Sequence, residues 1–162
     1  MVSITMEIQT TRDISHQIVR HRSFSYQEFS QRYAVSDTFE TRETRLQDPK
    51  NRQNSVEIDI SNIESKKLAD LWYLKQQEVL RKSREVYEWA LGRGIAKEQA
   101  RAALPEGLTG TTLYMAGTLR SWIHYCQLRM ANGTQKEHQE IAELCWDIIG
   151  THFPSVIKAF ED

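Results

Sequence analysis

Val2, Ile4, Met6 and Ile8 alternate with Ser3, Thr5, Glu7 and Gln9 from the second residue of the chain onward. Period-two alternation is the pattern of a strand with one face in a core and one in water. Such a strand leaves backbone donors and acceptors open on both edges, so other strands must be drawn from later in the chain. The later segments supply few candidates. Val35 to Ile60 reads as loop with at most short strands, and Thr111 to Met115 as a short strand or a turn. Most of the rest is helical. After Thr10 and Thr11, which can cap a helix, Ile14 and Ile18 form a short apolar stripe with Gln17, Arg20 and His21 near the helix end. Ser61-Asn62-Ile63-Glu64 has capping-box form and opens a long helix with a stripe of Leu68, Trp72, Val79, Val86 and Ala90, stopped by Gly92 and Gly94. A short helix from Ala96 to about Ala103 ends before Pro105. Gly117 to Arg129 reads as a helix with Leu119, Trp122, Ile123 and Cys126 inward. A second capping box, Thr134 to Glu137, precedes Ile141, Leu144, Cys145, Ile148 and Ile149 at helical spacing, and Pro154 breaks that helix. The expected class is α+β, a small antiparallel sheet packed with long helices.

Composition narrows the function. With 162 residues, 40% of them hydrophobic, residues 1–162 suit a single domain with its own core. Twenty-one Lys and Arg against 22 Asp and Glu give a net charge of −1, which argues against nucleic acid or an anionic membrane as partner. The N-terminus lacks the regions of a signal peptide, so a cytoplasmic location is expected. Cys126 and Cys145 have no metal-ligand spacing and read as core or interface thiols; no metal site is expected.

A local anion site is different. Arg20-His21-Arg22-Ser23-Phe24-Ser25-Tyr26-Gln27-Glu28-Phe29-Ser30-Gln31-Arg32 concentrates cations and hydroxyls. Read as extended after Ser25, it puts Glu28, Ser30 and Arg32 on one face and Phe29 and Tyr33 on the other. Arginine forks suit phosphate or carboxylate, and Gln17 and Glu28 can serve a sugar or base edge. Arg120 and His124, four apart, share a helix face, and Arg129 closes the same helix on another side. Arg101 interrupts the small-residue run Ala100 to Leu104. His138 and His152 read as helix-surface histidines.

Arg20-His21-Arg22, seven residues, then Ser30 resembles the signature of flavin-dependent thymidylate synthases, and Ser25 to Tyr33 is similar to its usual extension, with Gln27 where Asn is common. Ala100 to Pro105 and Leu119 to Arg129 are similar to two further family blocks, in the family's order. The resemblance implies the thymidylate synthase-complementing protein fold and reductive methylation of dUMP to dTMP. It implies methylenetetrahydrofolate as carbon donor, FAD as hydride carrier, NADPH as reductant, and a homotetramer with active sites between subunits. It assigns Gln17, Arg20, Glu28, Ser30, Gln31 and Arg32 to dUMP, joined by Arg101 from a neighbouring subunit and by Arg129, the catalytic group. His21, Arg22, Ser23, Thr118, Arg120 and His124 correspond to flavin contacts, with Glu28 common to both sets; Thr118 and His124 stand where many relatives have Asn. Relative to the family pattern, the usual N-terminal segment is expected to be missing. A non-catalytic assembly subunit of the same fold, or a phosphate-binding or nucleic-acid-binding module, are the alternative readings.

Overall fold

The computed structural model describes residues 2–161. The first strand, β1 (Ser3–Thr11), runs directly into a short helix, α1 (Arg12–Ile18), with Thr11 at the N-cap position in extended conformation. Its partner is β5 (Gly110–Thr118), antiparallel over all nine residues, from Ser3 opposite Thr118 to Thr11 opposite Gly110. β2 (Ser25–Glu28) pairs with the other edge of β5, giving the order β1-β5-β2. The segment expected to be a short strand or turn is therefore the central strand of the sheet.

Helices α4 (Leu119–Arg129) and α5 (Lys136–His152) close the core, and α6 (Pro154–Glu161) follows the break before Pro154. Met6 and Ile8 of β1 and Leu113 and Met115 of β5 meet Ile14, Ile18, Trp122, Tyr125, Cys126, Ala142, Cys145 and Ile149. Each full burial of such a side chain contributes about 1.5–3 kcal/mol. Tyr125 joins the inward residues of α4, whereas Ile123 is only partly covered. On α5 the buried positions are His138, Ala142, Cys145 and Ile149, and Leu144 and Ile148 are exposed. His138, expected at the surface, is fully buried because its 4-3-4 spacing to the other three puts it on the inward stripe.

The loop from Val35 holds a hairpin of β3 (Arg45–Gln47) and β4 (Ser55–Glu57). The 30-residue α2 (Ile63–Gly92) is capped by Asn62 and not by Ser61. The Asn62 side chain accepts from the Glu64 and Ser65 N–H groups at 2.9 and 3.2 Å, while the Ser61 hydroxyl is turned to Asp59. Its buried face also differs from the expected one. Gln76, Leu80, Ser83, Tyr87 and Ala90 are covered, with Tyr87 and Ala90 packing on Ala100 and Leu104 of the segment containing α3 (Lys97–Ala100). Leu68, Trp72, Val79 and Val86 stand open, Val79 at 50% exposure. Only Ala90 belongs to both stripes. Gly94, at φ +77°, turns the chain out of α2.

Candidate functional site

β5 divides the expected site residues into two groups. At its Thr118 end lies the turn after α1. There the Tyr26 hydroxyl sits 3.0 Å from the Ile18 carbonyl oxygen and 2.8 Å from that of His21, tying the Arg20–Arg22 turn to β2. Phe24 fits under the sheet end because residue 117 is glycine, and it meets Trp122 edge-on at 5.0 Å. Thr118 caps α4, accepting from the Ser121 N–H at 3.2 Å. Arg20, Arg22, Ser23, Arg120 and His124 are exposed around this end.

Arg129, in the last turn of α4, returns to the same turn. Its Nε donates to His21 Nε2 at 2.8 Å. A guanidinium has no acceptor, so His21 must offer a lone pair at Nε2 and carry its proton on Nδ1. Burial, Arg129 and His124 together push His21 down to about 4, which keeps it neutral. Behind it, Tyr125 meets His21 edge-on at 4.9 Å, and the Tyr125 hydroxyl lies 3.1 Å from His138 Nε2.

Gln17, in the last turn of α1, is held by Gln135, the residue before α5. Its Nε2 donates to Gln135 Oε1 at 2.8 Å, and Gln135 Nε2 donates to Glu137 Oε2 at 2.9 Å. Burial opposes charge on Glu137, but hydrogen bonds and the Arg42 and Arg45 guanidinium groups outweigh it and hold the carboxyl below its usual range.

The second group gathers near Gly110. Glu28 Oε1 accepts from the Ser15 and Thr111 hydroxyls at 2.9 and 3.0 Å, with Arg12 at 3.4 Å. One carboxylate oxygen is thus committed to the protein. Strand geometry ends at Glu28, one ladder bond later at Phe29. Ser30 then opens a turn, its carbonyl oxygen accepting from the Tyr33 and Ala34 N–H groups. The expected alternation of Glu28, Ser30 and Arg32 on one face therefore stops there: Arg32 turns to Glu98 at 3.5 Å, and Gln31 goes inward. A cavity of about 530 Å³ is lined by Gln31 and Arg101 of the same chain, with Arg12, His16 and Glu98. Gln31 Nε2 is buried there without a hydrogen-bond partner, which is costly unless something polar is received, while Arg12 Nη1, equally buried, has only the ion pair with Glu28.

Arg12 and His16 were not singled out by the sequence, because one charged residue at the start of a short helix carries no motif. Gln135 and Tyr125 were missed for a similar reason: their roles depend on what folds against them. Among the described residues, Arg20, Arg22, Arg101, Arg120 and Arg129 have no carboxylate partner, whereas Arg12, Arg42 and Arg45 do.

The family profile described as "Thymidylate synthase complementing protein" matches residues 1–155. The chain belongs to this family. Members similar to it include the flavin-dependent thymidylate synthase of Synechocystis, 51% identical over 162 residues covering 99% of this chain and 72% of the relative. A probable flavin-dependent thymidylate synthase of Paramecium bursaria Chlorella virus 1 is 46% identical over 159 residues, covering 98% of this chain and 71% of the relative. The UMP/dUMP methylase PolB of Streptomyces cacaoi, solved with 5-Br dUMP, shares the fold at a TM-score of 0.83 and 23% identity over 98% of this chain and 71% of that one. In this member of the thymidylate synthase complementing family, two of the three sequence blocks noted above lie on β2 with its flanking turns and on α4, and the third, Ala100 to Pro105, runs on from the end of α3 and packs on α2.

Proposed function

We propose that the chain is a flavin-dependent thymidylate synthase, methylating dUMP reductively to dTMP with methylenetetrahydrofolate as carbon donor and NADPH as reductant. The observation that carries this reading is Arg129: a guanidinium without a carboxylate partner, aimed by a neutral His21 at the end of α4. With Nε engaged, its terminal nitrogens remain for a ligand. A permanent cation at a uracil edge favours negative charge on the ring and so activates it toward an electrophilic carbon.

Ser30 is a binding group in this reading. Its Oγ accepts from the Arg32 N–H at 3.4 Å, and among the described residues no side-chain base is hydrogen-bonded to it. Gln17, Arg20, Glu28, Gln31, Arg32 and Arg101 complete the nucleotide set. The buried, unpartnered Gln31 amide and the free arginines suit a phosphate.

The donor set at the Thr118 end fits FAD. Arg22, Arg120 and His124 offer exposed cationic or donor groups for a diphosphate, with Ser23, Thr118 and His21 beside them and Glu28 arriving from the second group. Bound there, the flavin supplies hydride. The protein's part is to hold it against the nucleotide.

Both sets must meet. Thr111 and Thr118 are seven residues apart on β5, about 23 Å at strand rise, which is farther than one nucleotide spans. A homotetramer with sites shared between subunits resolves this, and the open Leu68, Trp72, Val79 and Val86 stripe of α2 supports subunit contact. Among the described residues no helix is long and apolar enough to cross a membrane.

The test is direct. The purified chain should show flavin absorbance and form dTMP from dUMP, methylenetetrahydrofolate and NADPH, and Arg129→Ala should lower kcat roughly 100-fold or more without altering the fold. No dTMP from the wild-type chain would overturn the reading; full activity in the variant would remove Arg129 from it.

A further inference from the structure

The hydrogen bonds running from Gln17 to Glu137 have a direction set at their far end. Ionised Glu137 can only accept, so the group Gln135 turns to it must be its amide nitrogen, at 2.9 Å. Gln135 Oε1 is thereby turned to Gln17, and as an acceptor it admits only the Gln17 amide nitrogen, at 2.8 Å. Arg42 and Arg45 hold Glu137 from the other side, and Arg42 is itself anchored on Asp13 at 2.7 Å. An amide that could otherwise rotate by half a turn is left with one orientation. Gln17 Oε1 receives no hydrogen bond among the described residues.

We propose that Gln135 and Glu137 are positioning residues that fix the Gln17 amide with its carbonyl oxygen toward the nucleotide, so that this position accepts a hydrogen bond from a ligand N–H or O–H. The inference rests on the proposed dUMP site and adds to it the polarity of one contact. Phosphate oxygens and the two uracil carbonyls are acceptors and cannot satisfy Oε1. On dUMP the groups that can are the ring N3–H and the ribose 3′-hydroxyl.

The chain loaded with FAD is compared as wild type, Gln17→Ala, Gln135→Met, Glu137→Gln, and the two double variants with Gln17→Ala. dUMP affinity is read by calorimetry, KM and kcat by turnover. Gln135→Met keeps the side-chain length and deletes the relay; Glu137→Gln keeps volume and lets the relay run in either direction. Each is expected to weaken dUMP binding and raise its KM roughly five- to tenfold with kcat nearly unchanged, and Gln135→Met, which leaves the Glu137 ion pairs in place, to keep the melting temperature as well. In the Gln17→Ala background neither should add a further loss. Of two analogues, N3-methyl-dUMP and 2′,3′-dideoxy-UMP, the one lacking the donor that Gln17 receives should bind wild type and Gln17→Ala equally.

Losses that multiply with that of Gln17→Ala, or a fall in melting temperature with unchanged KM, would overturn the positioning role. Discrimination by Gln17→Ala against both analogues alike would overturn the acceptor assignment. A wild-type chain that does not bind dUMP would instead sink the functional reading, and this inference with it.

Discussion

His21 and His138 are both pushed down to about 4, His21 by burial and then by Arg129 and His124, His138 by burial and then by Arg129 and His21. Unfolded, both would take up protons near the ordinary value of 6.5. Between these values the unfolded chain binds more protons than the folded one, so stability rises with pH through this window and is flat in this respect above it. Denaturation midpoints in urea are therefore expected to fall as pH is lowered from 7 to 5, and to fall less in His138→Gln, which can keep the bond to Tyr125. Equal acid sensitivity in the two proteins would show that His138 contributes nothing. Residue-scale legibility was uneven. Arg129 and the Arg20–Arg22 turn could be singled out because cations at helix ends and in a recurring block are visible in one dimension. His138 could not, because the apolar Ile141, Leu144 and Ile148 suggest a different inward stripe from the Ala142, Cys145 and Ile149 face it shares.

Among the elements, β1, β2 and all the longer helices were legible from alternation and spacing, although the cap residues were not: Asn62 and not Ser61 caps α2, and Gln135 precedes α5 without a side-chain cap bond. β5 was underestimated because Gly110, Gly117 and several Thr residues dilute its apolar pattern, although Leu113 and Met115 are wholly buried in it. The inward face of α2 was misjudged for a physical reason: what is covered is set by the segment that folds against it, Ala100 and Leu104 meeting Tyr87 and Ala90, and not by where the most apolar residues recur. Gln76 is buried instead because its amide clasps the Arg42 backbone, accepting at 2.6 Å and donating at 2.9 Å. The junction of β5 with α4 is also sharply constrained. A methyl group at Gly117 would overlap the Phe24 ring, itself hemmed in by Trp122 and Tyr125. Gly117→Ala is expected to cost about 1–3 kcal/mol in denaturant unfolding. Because Phe24 follows Arg22 and Ser23, it should weaken flavin retention as well; an unperturbed melting curve would contradict the close fit.

For the whole molecule, the two residue groups at opposite ends of β5 make a specific demand. If Arg101 and Arg129 of different subunits complete one site, Arg101→Ala and Arg129→Ala proteins, each inactive alone, should regain activity when unfolded and refolded together. Random pairing leaves about one site in four with both arginines intact. No recovery in the mixture, with oligomers formed normally, would place both groups in one chain's own site. The two free cysteines, Cys126 and Cys145, lie on facing helices inside the core, and burial pushes each thiol up to about 12. An alkylating reagent at neutral pH thus finds almost nothing to attack while the native packing holds. Its slow consumption becomes a clock for rare openings of the interior, set by the molecule itself and needing no engineered label.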